Sequence, residues 1–374
     1  MARMRMRDIA QEAGVSPATV SRYLNGHYQA MSAETRERIA TVIERTGYRP
    51  SAAARSLRTD RSQMIGVVMA DMRNPYSAAM VDELDAQAAG LGYSLAVAMS
   101  GNDPAREEAA IRRLIDGGVD GLVVNSCETD GAALAWLGSR APAVLLDRDV
   151  AGSGLDLVTS NNGQLTGRLL DELAAGGCSR AYLLTEGGAT SSVRAERARA
   201  FESGLAARGL VGEVVALVGD DGRDLARLGA MLGSSGNNAQ VAEAAAAGPG
   251  ASVRAPAAPV GLVAVNGLVF LRLVECLQIL STRVPDEALV ASFDDYAWNR
   301  VLFGGVTTAV QDTATIAAKT LEWLLDAINA PQVTGTASSP ATRGRHAEVE
   351  GHVIRRASTR PAPSGHPPHA APEV

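Results

Sequence analysis

The chain has 374 residues, 46% of them hydrophobic and 20% charged, with a formal net charge of −6. That length accommodates two or three domains with sizeable cores, and the composition is that of an ordinary soluble globular protein. It contains no run of eighteen apolar residues and no apolar segment behind its basic start MARMRMRDIA, which argues against a transmembrane helix or a secretory signal and predicts a cytoplasmic protein.

The charge is uneven along the chain. Residues 1–61 hold eleven Arg against six acids, a net +5, and the remainder nets −11. A basic N-terminal module on an acidic body suggests a polyanion bound at one end. Charge alone does not separate this from chance clustering. Residues 7–49 read as three short helices. RDIAQEAG places Ile9, Ala10 and Ala13 on one face and stops at Gly14. Ser16 can cap a second helix with Pro17 in its first turn, running to about Asn25 with Val20 and Leu24 on the buried side. Ser32 opens a third, with Ile39, Val42 and Ile43 as its stripe and Gly47 as its end. SAAARSLRTDRSQ, which follows Pro50, has helical propensity but almost nothing apolar to bury, and is too short for a stable helix alone.

From residue 64 the pattern changes to buried strands alternating with amphipathic helices. Strands are predicted at 64–71, 93–100, 119–126, 141–150, 181–187, 214–220, 261–266 and 288–295. Helices are predicted near 76–91, 106–118, 163–175, 194–208, 267–280 and 312–329. The alternation implies parallel sheets flanked by helices, and so many units exceed one ordinary open sheet, so two α/β lobes are expected. Residues 233–258 read as a loop with one poor helix around 239–247, and 356–374 as a disordered tail.

The stretch GVSPATVSRYLNG fits the turn and second helix of a helix-turn-helix. Such a helix lies in the DNA major groove, so its exposed face carries short side chains that approach base edges. Ser16, Pro17, Ala18, Thr19, Ser21 and Arg22 would face the duplex, Arg22 as the guanine reader. Ser16, Thr19, Ser21 and Asn25 suit phosphate positioning. The alternative is a capped helix in an ordinary bundle.

The spacing of DIAQEAGVSPATVSRYLNG and SAETRERIATVIERTGYRPSAAARSLRT closely resembles the N-terminal module of the LacI/GalR family of bacterial transcription repressors. IGVVMADMRNPY, VDGLVVN, VLLDR, R-x-x-A-F, AVNGL, VPDEALVASFDD and TTAVQD extend the resemblance through most of the chain. The resemblance implies a helix-turn-helix domain at 1–50, a hinge helix at 51–61, and a two-lobed periplasmic-binding-protein-like body at 62–355 that binds effector and dimerises. It implies that Leu57 wedges into the minor groove, with Ala54 beside it and Arg55 and Arg58 on phosphates. It also puts Arg5, Arg7, Ser32, Thr35, Tyr48 and Ser51 along the duplex. A near-palindromic operator and a homodimer follow from pairing two identical modules.

The same resemblance assigns an effector pocket between the lobes to Tyr76, Asn125, Asp147, Arg148, Arg197, Asn266, Asp294 and Trp298. These types suit a polyhydroxylated ligand. There are departures: Asn266-Gly267 stands where many members have Asn-Asp, Asn161-Asn162 where Asp-Asn is usual, and Gly304-Gly305-Val306 where a Pro is common. With two acids fewer and Arg148 and Arg197 near, an anionic sugar acid or sugar phosphate is favoured, and a neutral sugar stays open. NPYS, AVNGL and FDDYAW are similar to a subgroup that answers to sugar acids. Repression or activation, and induction or co-repression, stay open too.

Other classes fare worse. A transport protein would need a signal peptide and would not carry the N-terminal module. No G-x-S-x-G elbow, Walker A loop or metal cluster occurs, the five His lie outside the pocket motifs, and Cys127, Cys178 and Cys276 share no ligand spacing or disulfide framework. No catalysis, cofactor, metal or membrane is expected. No leucine heptad follows residue 355, so no coiled-coil tetramer is expected either.

Overall fold

A computed structural model describes residues 4–24, 26–48, 61–187, 191–219, 221–233, 258–330 and 344–360. It divides into two units, Met1–Met64 and Ile65–Val374. The first holds helices α1 (Met6–Glu12), α2 (Pro17–Leu24) and α3 (Ala33–Thr46), with a single 3-10 turn at Tyr28–Ala30. The turn into α2 depends on Gly14, whose φ of +62° side chains adopt at a cost. Ser16 Oγ then accepts from the Thr19 amide at 3.2 Å, and Ser32 Oγ from the Thr35 amide at 3.2 Å, so both helices start on a capped donor. Ile9, Ala10, Ala13, Val20, Ile39 and Val42 form the core. Tyr48, expected along the duplex, belongs to that core and is only 8% exposed.

The second unit contains two six-stranded sheets. The first sheet takes β1 (Met64–Met69), β2 (Ser94–Met99), β3 (Gly121–Val124), β4 (Ala143–Leu146), β5 (Asp156–Ser160) and β11 (His346–Val349), in the order β11-β5-β4-β3-β1-β2. The second takes β6 (Arg180–Glu186), β7 (Val211–Leu217), β8 (Val260–Ala264), β9 (Ala288–Phe293), β10 (Thr307–Val310) and β12 (His352–Ile354), in the order β12-β10-β9-β8-β6-β7. Central strands β1, β3, β4, β8 and β9 are almost wholly buried, as continuous apolar runs between helical layers require. The helices are α4 (Pro75–Gly90), α5 (Pro104–Asp116), α6 (Gly131–Leu134), α7 (Asn162–Ala175), α8 (Ser192–Leu205), α9 (Asp221–Gly233), α10 (Gly267–Ile279), α11 (Ala297–Val301) and α12 (Thr313–Asn329).

The expected α/β alternation and two lobes are observed, with differences at short elements. Strands β5, β10, β11 and β12 and helices α6, α9 and α11 are not among the predicted elements. The last two strands are four and three residues long, too short for their few apolar residues to form a readable run. The body also continues past residue 355. Ser358 Oγ accepts from the Thr307 amide at 2.9 Å and donates to Val290 O at 2.5 Å, and Arg356 pairs with Asp295 at 2.6 Å. Residues 356–360 are therefore part of the second lobe and not of a tail. The expected hinge helix, most of the 233–258 loop and the end of the chain lie outside the described residues.

Three crossovers join the lobes, at β5–α7, β10–α12 and β11–β12, and they meet at one point. The Asn161 amide donates to Val349 O at 3.1 Å, and Asn161 Oδ1 accepts from the Gly351 amide at 2.9 Å. A Cβ on Gly351 would lie 2.3 Å from Val310 O, on the remaining crossover. Gly351→Ala is thus expected to cost roughly 1–3 kcal/mol through overpacking. Thermal unfolding measures this, and an unchanged Tm would show that the crossovers are not tightly joined.

Candidate functional site

In the first unit the exposed side of α2 is short and polar. Ser16, Pro17, Ala18 and Arg22 are exposed, and Thr19 and Ser21 are half-buried. Val20 is fully buried and holds the helix on its scaffold. The Arg22 side chain makes no ion pair or hydrogen bond among the described residues, so its guanidinium fork is available to an external acceptor. Arg5, Arg7 and Ser32 are exposed and Thr35 is half-buried, while Asn25, Ser51, Ala54, Arg55, Leu57 and Arg58 lie outside the described residues. Arg45 pairs with Glu12 and ties α3 to α1. The helix therefore presents an uncommitted donor and small side chains at one face, as major-groove reading requires.

In the second unit, a cleft of about 500 Å³, its open mouth included, lies between the carboxyl ends of the two sheets. Asp147 follows β4 and Asp294 follows β9, and the two are built alike. Each has a left-handed backbone, φ +66° and +68°. Each amide donates to the neighbouring strand, Asp147 to Val158 O at 2.8 Å and Asp294 to Ala309 O at 2.7 Å. Aspartate tolerates this region better than most residues, and the turn aims both carboxylates into the cleft from opposite lobes.

Arg197, on α8, is 3% exposed and lies with its guanidinium 3.6 Å over the Phe293 ring. Its Nε donates to Asn162 Oδ1 at 2.8 Å and its Nη1 to Val265 O at 2.6 Å. Burial lowers its pKa, and Asp294 and Asp147 oppose that. Burial likewise raises the pKa of Asp147 against Arg197 and Arg148, and that of Asp294 against Arg197. The cleft thus holds two carboxylates that its own cations only partly compensate.

The two carboxylates differ in what they already bind. Asp294 Oδ1 accepts from Gln311 Nε2 at 2.7 Å and Oδ2 from the Tyr296 hydroxyl at 3.2 Å. Asp147 Oδ2 accepts from Asn125 Nδ2 at 3.5 Å, but its Oδ1 is buried with no partner. The Tyr76 hydroxyl, which lies beside the Asp147 carboxylate, and Gln311 Oε1 are also buried without a hydrogen bond among the described residues. Each such atom costs about 1–3 kcal/mol until something bonds to it. Three of them line one cleft, where the hydroxyls of a bound molecule could satisfy them.

Of the residues expected here, Tyr76, Asp147, Arg148, Arg197, Asn266 and Asp294 line the cleft. Asn125 stands behind its wall, donating to Leu146 O at 3.0 Å and steadying Asp147. Trp298 is half-buried behind Tyr296, with ring centroids 4.7 Å apart, and does not reach the lining. Arg148 donates to Asn102 Oδ1 at 3.0 Å. The sequence reading missed Asp71, Asn74, Glu186, Arg194 and Gln311, all of which line the cleft. Asp71 and Glu186 stand at strand ends, Gln311 in a crossover, Asn74 at a helix cap and Arg194 in a first helical turn, positions shared by many residues without a site. Asp71 and Glu186 also alter the expected charge. They return two acids to the wall, each matched by its own arginine, Asp71 by Arg73 at 2.8 Å and Glu186 by Arg194 at 2.7 Å. The Arg73 bond holds Asp71 below the usual carboxylate range. Among the described residues there is no metal-binding group of His, Cys, Asp and Glu, and no helix long and apolar enough to cross a membrane.

Comparison with known proteins agrees with both halves. Residues 5–51 match the family described as bacterial regulatory proteins, lacI family. Residues 65–258 match a periplasmic binding protein domain, and residues 170–359 a periplasmic binding protein-like domain. The HTH-type transcriptional regulator PtxS of Pseudomonas plecoglossicida is 33% identical over 96% of both chains. The HTH-type transcriptional regulator KdgR of Bacillus subtilis is 31% identical over 94% of this chain and 97% of its own. Among solved structures, the lac repressor dimer bound to operator and the anti-inducer ONPF superposes with a TM-score of 0.74 at 20% identity, covering 96% of this chain and 99% of that one. The Cra dual regulator of Pseudomonas putida with fructose 1-phosphate gives 0.60 at 22% identity, covering 79% and 98%.

Proposed function

The chain belongs to the LacI family of bacterial regulatory proteins, and from that premise we propose that a small sugar acid bound in the cleft sets the affinity of α2 for an operator. The protein is a DNA-binding transcriptional regulator and not an enzyme. The observation that carries the ligand is the trio of buried, unpartnered polar atoms on Tyr76, Asp147 and Gln311 around the buried Arg197. Arg148, Arg194 and Arg197 set three guanidinium groups in the wall, donors that a ligand carboxylate can bond directly. The four carboxylates in the same wall favour the single charge of a sugar acid over the double charge of a phosphate. Thermal unfolding of the full chain with D-gluconate, D-glucose and D-glucose 6-phosphate tests this. The acid is expected to raise Tm most, the stabilisation reaching about 2.7 kcal/mol at a hundredfold excess over Kd. No shift with any of the three would count against the reading.

The operator is proposed to be a near-palindrome bound by a homodimer in the cytoplasm. A second copy suits the exposed Leu91, Val97 and Met99 of one lobe and Leu271 and Ile279 of the other. Leu57 is proposed as the minor-groove wedge and Arg22 as the guanine reader. Leu57→Ala is expected to weaken operator binding by tenfold or more, at roughly 1–3 kcal/mol, with little effect on random DNA. Titration of both DNAs at fixed salt checks this, and equal losses would remove the wedge.

A further inference from the structure

Gly267 opens α10 at the seam between the lobes, flanked by the cleft-lining Asn266 and Leu268. Its backbone is not left-handed, so conformation does not demand glycine there. Space does. A Cβ at this position would lie 2.8 Å from Tyr296 Cε2 and 3.6 Å from Pro75 Cδ of the opposite lobe. The Tyr296 ring cannot easily give way, because its hydroxyl bonds Asp294 and its ring packs on Trp298.

We propose that Gly267 and Tyr296 are a specificity-determining pair for the cleft. The inference rests on the cleft being the effector site. Tyr296 is a positioning residue: it reaches the effector through Asp294, whose carboxylate it and Gln311 hold in one orientation. Gly267 sets no side chain between the cleft-lining Asn266 and Leu268, so position 267 adds no hydrogen bond or charge to the wall. A side chain at 267 and the ring at 296 compete for one volume, and the chain keeps the ring. The wall therefore keeps its four carboxylates, of which Asp71 and Glu186 are matched by Arg73 and Arg194, and gains no fifth at 267, which favours an anionic effector over a neutral one.

The test begins with thermal unfolding of the full chain. Gly267→Asp is expected to lower Tm by roughly 5 °C through overpacking, and by less than half of that in a Tyr296→Ala background. If the aspartate variant does not fold, Gly267→Ala repeats the comparison with one added carbon. Equal losses in both backgrounds overturn the pair, whatever the chain binds. Calorimetry with D-gluconate and D-glucose follows. Tyr296→Phe keeps the ring and is expected to lower Tm by only a few degrees while weakening gluconate about tenfold. Wild-type affinity in that variant overturns the positioning role. The Gly267→Asp, Tyr296→Ala double variant is expected to lose the preference for gluconate over glucose. If Tm losses are coupled but neither sugar binds the unaltered chain, the effector reading and the specificity role both fail, and only the competition for space stands.

Discussion

Arg197→Ala is expected to abolish the thermal response to any cleft ligand and to lower Tm of the unliganded chain on the order of 10 °C. The size follows from burial. Arg197 is 3% exposed, and removing it takes away two hydrogen bonds and the cation over Phe293. It also leaves Asp147 and Asp294 without their main opposing charge. Breaking a buried charge arrangement from one side costs roughly 3–5 kcal/mol. The Nε bond to Asn162 adds a second consequence, since Asn162 begins the helix after the first crossover. Arg197→Lys keeps the charge but loses the planar fork, so it should recover part of the stability and little of the ligand response. Differential scanning calorimetry with and without D-gluconate reads both. An alanine variant with unchanged Tm and unchanged response would remove Arg197 from the site.

Asp147→Asn is expected to do the opposite to stability while still weakening ligand. Asparagine accepts the +66° φ of this position, so the turn survives. It also removes a buried charge that the cleft only partly compensates. Because burial raises the Asp147 pKa in the folded chain, the aspartate favours folding fully below its unfolded value of about 3.9. That contribution is lost as pH rises through the raised folded value. The asparagine imitates the protonated form at every pH, so its advantage over the native chain should be absent near pH 4 and grow toward neutrality. There it is expected to reach roughly 1–2 kcal/mol, the usual gain from relieving a functional site. Ligand affinity is expected to fall about 10- to 100-fold, the cost of losing a charged acceptor. Tm measured from pH 4 to 8 gives the test. A variant less stable than the native chain at neutral pH, or a difference that does not vary with pH, would show that the Asp147 charge is not a burden on the empty cleft.

Parts of both sites could be read directly. Gly14, Ser16 and Pro17 announced the turn into α2, because a cap and a helix start are decided within four residues. MIGVVM and ALVASF announced buried strands, because both of their faces are apolar. Asp147 and Asp294 were placed at strand ends, and strand ends of parallel sheets are where clefts open. The rest could not be read. Glu186 and Arg194 pair across a helix start, Gln311 and Asp294 across a crossover, and Asn161 and Gly351 across 190 residues. Nothing in the local pattern of any of these marks its partner. Trp298 looked like an aromatic wall for a sugar, yet Tyr296 occupies the nearer position.

By itself the sequence determined the alternation of strands and helices, the polar recognition helix and the division into a small basic module and a larger α/β body. Those features arise from capping, periodicity and charge, which act between near neighbours in the chain. The tertiary structure decided which charges the cleft presents. Asp71 and Glu186 returned two acids to a wall that had read as depleted of them, and Arg73 and Arg194 neutralised both. It also left Asp147, Tyr76 and Gln311 with buried polar atoms that have no hydrogen bond among the described residues. Whether a buried group is paired depends on sheet register and on how three crossovers bring two lobes together, and no stretch of sequence contains that information.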